Sequence, residues 1–78
     1  MSKDRKERVK EIKAVLEVAV LAMPKERASQ EFYRNAARKA PGELSKRIFE
    51  ELAQQEEQHE AKLKAIIQIL EAELKSLE

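Results

Sequence analysis

Apolar residues recur through the second half of the chain at steps of three and four: Ile48, Leu52, Leu63, Ile66, Leu70, Leu74 and Leu77. Such steps put one residue per turn on a single face of an α-helix. Glu56 and His59 interrupt the stripe at positions where leucine would be expected. A carboxylate and an imidazole facing a packed seam cost several kcal/mol unless they are paired, hydrogen-bonded or bound to an ion. Spaced at i and i+3, they lie one helical turn apart and can reach one ion together.

The first half carries a matching stripe of Val9, Ile12, Leu16, Ala19 and Met23, widened by Val15, Val20 and Leu21. Pro24 lacks an N–H and clashes with the carbonyl of Val20, so the helix bends there or a new one begins near Met23. The stripe continues in register through Glu26, Tyr33, Ala37 and Ala40, which favours one helix over about residues 5–40, bent or interrupted near Pro24. Pro41-Gly42 is the clear turn signal, Gly42 being free to take backbone angles that other residues avoid. From about 43 to 77 the helical pattern is unbroken. Two helices of about 36 residues, each roughly 50 Å long, predict an all-α antiparallel hairpin spanning 1–78 as a single domain.

That hairpin has a register. Around a turn centred between Pro41 and Gly42, residues whose numbers add to about 83 lie level, so Glu26 is expected beside Glu56 and His59. Tyr33 falls near the level of Glu50, about 10 Å along the axis from Glu26 and on nearly the same face. A two-helix hairpin cannot bury all of its apolar surface, because Val15, Val20 and Leu21 flank the first stripe and Phe49 and Ile67 the second. Two hairpins packed together make a four-helix bundle. The same homodimer would turn two carboxylates and one imidazole into four carboxylates and two imidazoles about a two-fold axis, a set able to hold two iron or manganese ions.

Composition narrows the chemistry. With no cysteine there is no disulfide, thiolate-bound iron, iron–sulfur cluster or Cys-ligated zinc. Sixteen basic against fifteen acidic residues leave a net charge of +1, so no global field draws the chain to nucleic acid or membrane. Met1 to Lys6 are too charged for a signal peptide, and no apolar run approaches a bilayer span. A cytoplasmic protein is expected. The remaining carboxylates Glu31, Glu57 and Glu60 are expected on solvated faces, where they would at most guide Fe²⁺ inward.

The stretch Glu26-Arg27-Ala28-Ser29-Gln30-Glu31-Phe32-Tyr33 resembles the Glu-x6-Tyr segment of the rubrerythrin and ferritin-like di-iron family. Leu52-Ala53-Gln54-Gln55-Glu56-Glu57-Gln58-His59 is similar to its following Leu-Ala-x-x-Glu-x-x-His helix. Family members typically carry four helices in one chain. This one resembles half of that pattern over about residues 9–75, closest to the half-size branch of encapsulated ferritins. The resemblance implies a ferritin-like half-domain whose homodimer builds a di-iron site and assembles into a ring or lies within a protein shell of the encapsulin type. It implies Glu26 as a terminal or bridging ligand, Glu56 as a bridging ligand, His59 as a terminal ligand and Tyr33 as a neighbour of the ligands. Iron is the implied cofactor, with manganese or zinc as substitutes. Pro24 and the lack of a targeting tail after Leu77 depart from the pattern.

Ferroxidase activity is the first functional expectation, for iron storage or detoxification. A solid dimer of this size has no room for mineral, so storage would need a surrounding shell or ring. Rubrerythrin-like peroxide reduction would require an external electron donor, since the chain has no rubredoxin centre. The alternative of another class is a non-enzymatic dimerisation module in which Glu26, Glu56 and His59 form a buried polar network that fixes register.

Overall fold

The computed structural model describes residues 4–78. Met1, Ser2 and Lys3, part of the charged start, lie outside the described residues. Two α-helices, α1 (Arg5–Lys39) and α2 (Glu43–Leu77), fold back on one another into an antiparallel hairpin measuring 57 × 20 × 16 Å. No strand occurs among the described residues, and no helix is long and apolar enough to cross a membrane.

Local chemistry sets the ends. Asp4 caps α1, its carboxylate accepting the Glu7 N–H at 2.8 Å, and Arg38 and Lys39 place positive charge at the helix's negative end. Ala40 precedes Pro41, and the proline ring disfavours helical angles in the residue before it. Ala40 accordingly turns to φ −64°, ψ 136° and ends α1. Gly42 precedes α2 at φ −152°, ψ 168°, an extended conformation open to any residue. The turn therefore makes no use of glycine's special freedom, contrary to the sequence expectation. The short Ala40-Pro41-Gly42 link suffices because Pro41 ends one helix and the next starts at once.

α1 runs unbroken through Pro24. The expected single helix is thus found, and the two-helix reading is not. Pro24 is exposed, so the Val20 carbonyl deprived of its helical partner lies at a solvent-facing turn, where water can satisfy it.

The hairpin buries little. Among the described residues Ile12, Ala19, Ala37 and Ala53 form its small buried core, with Gln30 beside them. Small alanines let the helices approach closely, and half-buried Leu16, Met23, Phe49, Leu63, Ile67, Leu70 and Leu74 fill the remaining seam. The inner line of α2 runs Phe49, Ala53, Glu56, Glu60, Leu63, Ile67, Leu70 and Leu74, alternating steps of four and three as in a coiled-coil seam. This corrects the expected stripe at alternate positions. Phe49 and Ile67 turn inward, whereas Ile48, His59 and Ile66 turn outward. Neighbouring residues differ by about 100° around a helix, and the 3.5-residue seam selects one member of each pair.

Candidate metal centre

Near the middle of the hairpin, one ligand atom each from Glu26 of α1 and from Glu56 and His59 of α2 lie within 4.8 Å of one another. His59 Nδ1 stands 3.7 Å from Glu26 Oε2 and 3.6 Å from Glu56 Oε1. Both separations are too long for hydrogen bonds. They suit groups arranged around a shared cation, whose ligand bonds of about 2.0–2.2 Å hold neighbouring ligand atoms more than 3 Å apart.

The electrostatics agree. Glu26 Oε2 is buried and has no hydrogen-bond partner. Its carboxyl is pushed above the usual carboxylate range, first by the hydrogen bond that its protonated form shares with the Glu56 carboxyl, then by burial and the Glu56 negative charge; His59 opposes the shift. Two crowded carboxylates hold a proton more readily than one alone, and positive charge between them relieves the repulsion. An orphaned buried oxygen, a second carboxylate and an imidazole together fit a divalent cation with oxygen and nitrogen ligands. Glu26 and Glu56 are half-buried, while the His59 side chain remains 53% exposed, at the edge of the hairpin.

Tyr33 is half-buried two turns beyond Glu26 and packs edge-on against Phe32, with ring centroids 5.5 Å apart. It is not one of the converging groups. Glu31 and Glu57 lie on exposed faces, as the sequence suggests. Glu60 does not. Its side chain is 14% exposed and accepts from Arg27 Nε at 2.8 Å and Gln30 Nε2 at 2.7 Å. These bonds, that of Arg27 foremost, hold its carboxyl down at about 2. Sequence reasoning missed this group because charge alone assigns a glutamate to solvent. The available signal was Arg27 and Gln30, one turn apart and level with α2's acidic run.

A glutamate from one helix and Glu-x-x-His from its neighbour form the half-pattern of the ferritin-like di-iron carboxylate proteins. The rubrerythrin family model matches residues 14–78, and the chain belongs to the rubrerythrin family. That membership makes it a di-iron-type protein of a family that binds iron, and the matched span includes Glu26, Tyr33, Glu56 and His59. Searches of the curated proteins and of the solved structures found no match.

Proposed function

We propose that the chain is half of a ferroxidase: two hairpins pair through the His59-bearing flank, and Glu26, Glu56 and His59 from each hold two Fe²⁺ ions between them. The observation that carries this reading is the orphaned, buried Glu26 Oε2 facing Glu56 and His59 in a chain of the rubrerythrin family.

The flank supports pairing. Leu52, His59 and Ile66 recur at intervals of seven on α2, with Ile48 beside them, and α1 contributes Val15, Val18 and Ala22 before Glu26. Val15, Val18, Ile48 and Ile66 are all exposed in the single hairpin, Val18 at 69%. Large apolar surface beside half-exposed ligands is what a second copy would cover.

Iron is substrate here. Two Fe²⁺ each give one electron to dioxygen, which takes up two protons and leaves as hydrogen peroxide, with two Fe³⁺ as the other product. The chain's part is to bring both ions together and favour the higher charge. Four carboxylates in the dimer stabilise Fe³⁺ over Fe²⁺, and a cation bound there competes with the proton that Glu26 holds more readily than an ordinary carboxyl does. Half-buried Tyr33 lies two turns along α1 from Glu26, toward Pro41.

Anaerobic Fe²⁺ titration followed by air, read by absorbance and by the mass of the intact assembly, tests the reading. Saturation near two irons per dimer is expected, with oxidation abolished in Glu56→Ala and His59→Ala while helix content persists. Undiminished oxidation in either variant would overturn the assignment. An unmodified dimer that takes up no iron would favour the polar network that fixes register.

A further inference from the structure

On the flank opposite His59, the helices are tied together by side chains that face away from the cluster. Gln30, one turn after Glu26, is 6% exposed and is the buried polar residue among the described residues. It donates from Nε2 to Glu60 Oε1 at 2.7 Å, while Arg27, directly after Glu26, donates from Nε to Glu60 Oε2 at 2.8 Å. Lys64 Nζ stands 3.5 Å from the same oxygen. Arg34 extends the set, donating from Nη2 to Gln30 Oε1 and to Glu57 Oε2, each at 3.3 Å. Glu60 follows His59 directly and stands one turn beyond Glu56, so both of its oxygens are engaged right beside the ligands.

We propose that Arg27, Gln30 and Glu60 form a clamp that positions the metal ligands, fixing the height and rotation of α1 against α2 so that Glu26 stays within one ion's reach of Glu56 and His59. The proposal rests on the reading of those three residues as iron ligands.

The physical need is specific. Elsewhere the seam is alanine and larger apolar side chains, whose contacts have no direction. A slip of one residue moves a helix by 1.5 Å and turns it by 100°, whereas a ligand set must be held to about 0.5 Å. Hydrogen bonds with defined donors and acceptors penalise such slips because a displaced Gln30 would be left buried and unpaired. The clamp connects the residue after one ligand and the residue a turn later to the residue after another ligand. Movement of either helix is thus resisted at the cluster itself. Arg27 and Lys64 pair with Glu60 and offset its charge, so its assigned role is to position the helices and not to attract cations.

The test uses the full chain and Co²⁺, titrated by visible absorption and calorimetry, with thermal melting of the metal-free protein alongside. Glu60→Leu and Gln30→Leu are each expected to weaken Co²⁺ binding about ten-fold and to alter the cobalt spectrum, the lower end of the usual cost of losing a partner behind a ligand. Ile12→Ala, in the core and far from the ligands, should lower the melting temperature and leave Co²⁺ affinity and spectrum unchanged. Glu60→Gln keeps an acceptor for Arg27 or Gln30 and should recover most of the affinity. The clamp is overturned if Glu60→Leu and Gln30→Leu bind Co²⁺ like the unaltered chain, or no worse than Ile12→Ala at equal loss of melting temperature. It is equally overturned if Glu60→Gln loses as much as Glu60→Leu, since charge would then be the cause. Absence of Co²⁺ binding by the unaltered chain would overturn the iron-ligand reading, and the clamp's role with it.

Discussion

The two flanks of the hairpin, compared at the height of Glu26, differ in how their polar groups are satisfied. On one, Arg27, Gln30, Arg34, Glu57 and Glu60 pair with one another within the chain. On the other, a quarter-turn away on the same helices, Glu26 keeps a buried oxygen without a partner and His59 stands half in solvent among exposed Val15, Val18, Ile48 and Ile66. On the first flank these polar groups are satisfied within the chain. On the second, the unbonded Glu26 oxygen and the exposed apolar residues are what the proposed cation and second copy would cover.

The contrast is broken most strongly by charge on the open flank. Ile66→Glu should weaken pairing of hairpins about 100-fold or more, a cost of roughly 3 kcal/mol for a charge placed where apolar surface is to be covered. Arg34→Ala on the closed flank should leave the assembly mass unchanged, and native mass spectrometry against concentration reads both.

A subtler contrast lies in the protons. Glu26 holds its proton above the ordinary carboxylate range, so its contribution to stability is present below about pH 4.5 and is lost as pH rises through its raised folded value. Glu60 has the opposite sign. Its contribution is present above about pH 4.5 and is lost as pH falls toward about 2. Glu26→Gln should therefore raise the melting temperature of the chelator-treated protein at pH 7, with the advantage shrinking toward pH 4. An unchanged melting temperature would mean that the Glu26 carboxylate is not strained without metal.

The smallest effect is expected away from both flanks. A side chain at Gly42 would meet nothing within 4 Å, and α2 lacks a side-chain cap. Gly42→Asp should cap it and stabilise the fold by about 0.5 kcal/mol, a rise of roughly 2–4 °C in melting temperature for a domain of this size.

Much of this was legible in the amino-acid pattern because helix geometry converts spacing directly into position. The stripe through Pro24 gave one long α1, Pro41 gave the turn, and the register placed Glu26 beside Glu56 and His59. Misread features came from choices between neighbours. Phe49 or Ile48, and Ile67 or Ile66, both fit a stripe of threes and fours, and only contact with α1 decides between them. Glu60 adds to this its charge, which by itself assigns it to solvent. Its neighbour His59 fits the stripe equally well, and the inward turn of Glu60 depends on Arg27 and Gln30 across the seam. Tyr33 could be given a height but no partner, since a ring's contacts depend on rotamers that spacing does not contain.

The hairpin is joined by a covalent turn at one end, and its far end is bridged by the exposed ion pairs Arg8–Glu73 and Lys13–Glu78. Mechanically it is a pair of tongs with the hinge at Pro41 and the jaws about half-way along the arms. With stiff arms, any opening at the tips reaches Glu26, Glu56 and His59 at roughly half its amplitude. The length of α1 and α2 beyond the cluster thus gives leverage over it, which the bonds of Arg27 and Gln30 to Glu60 oppose at the cluster itself.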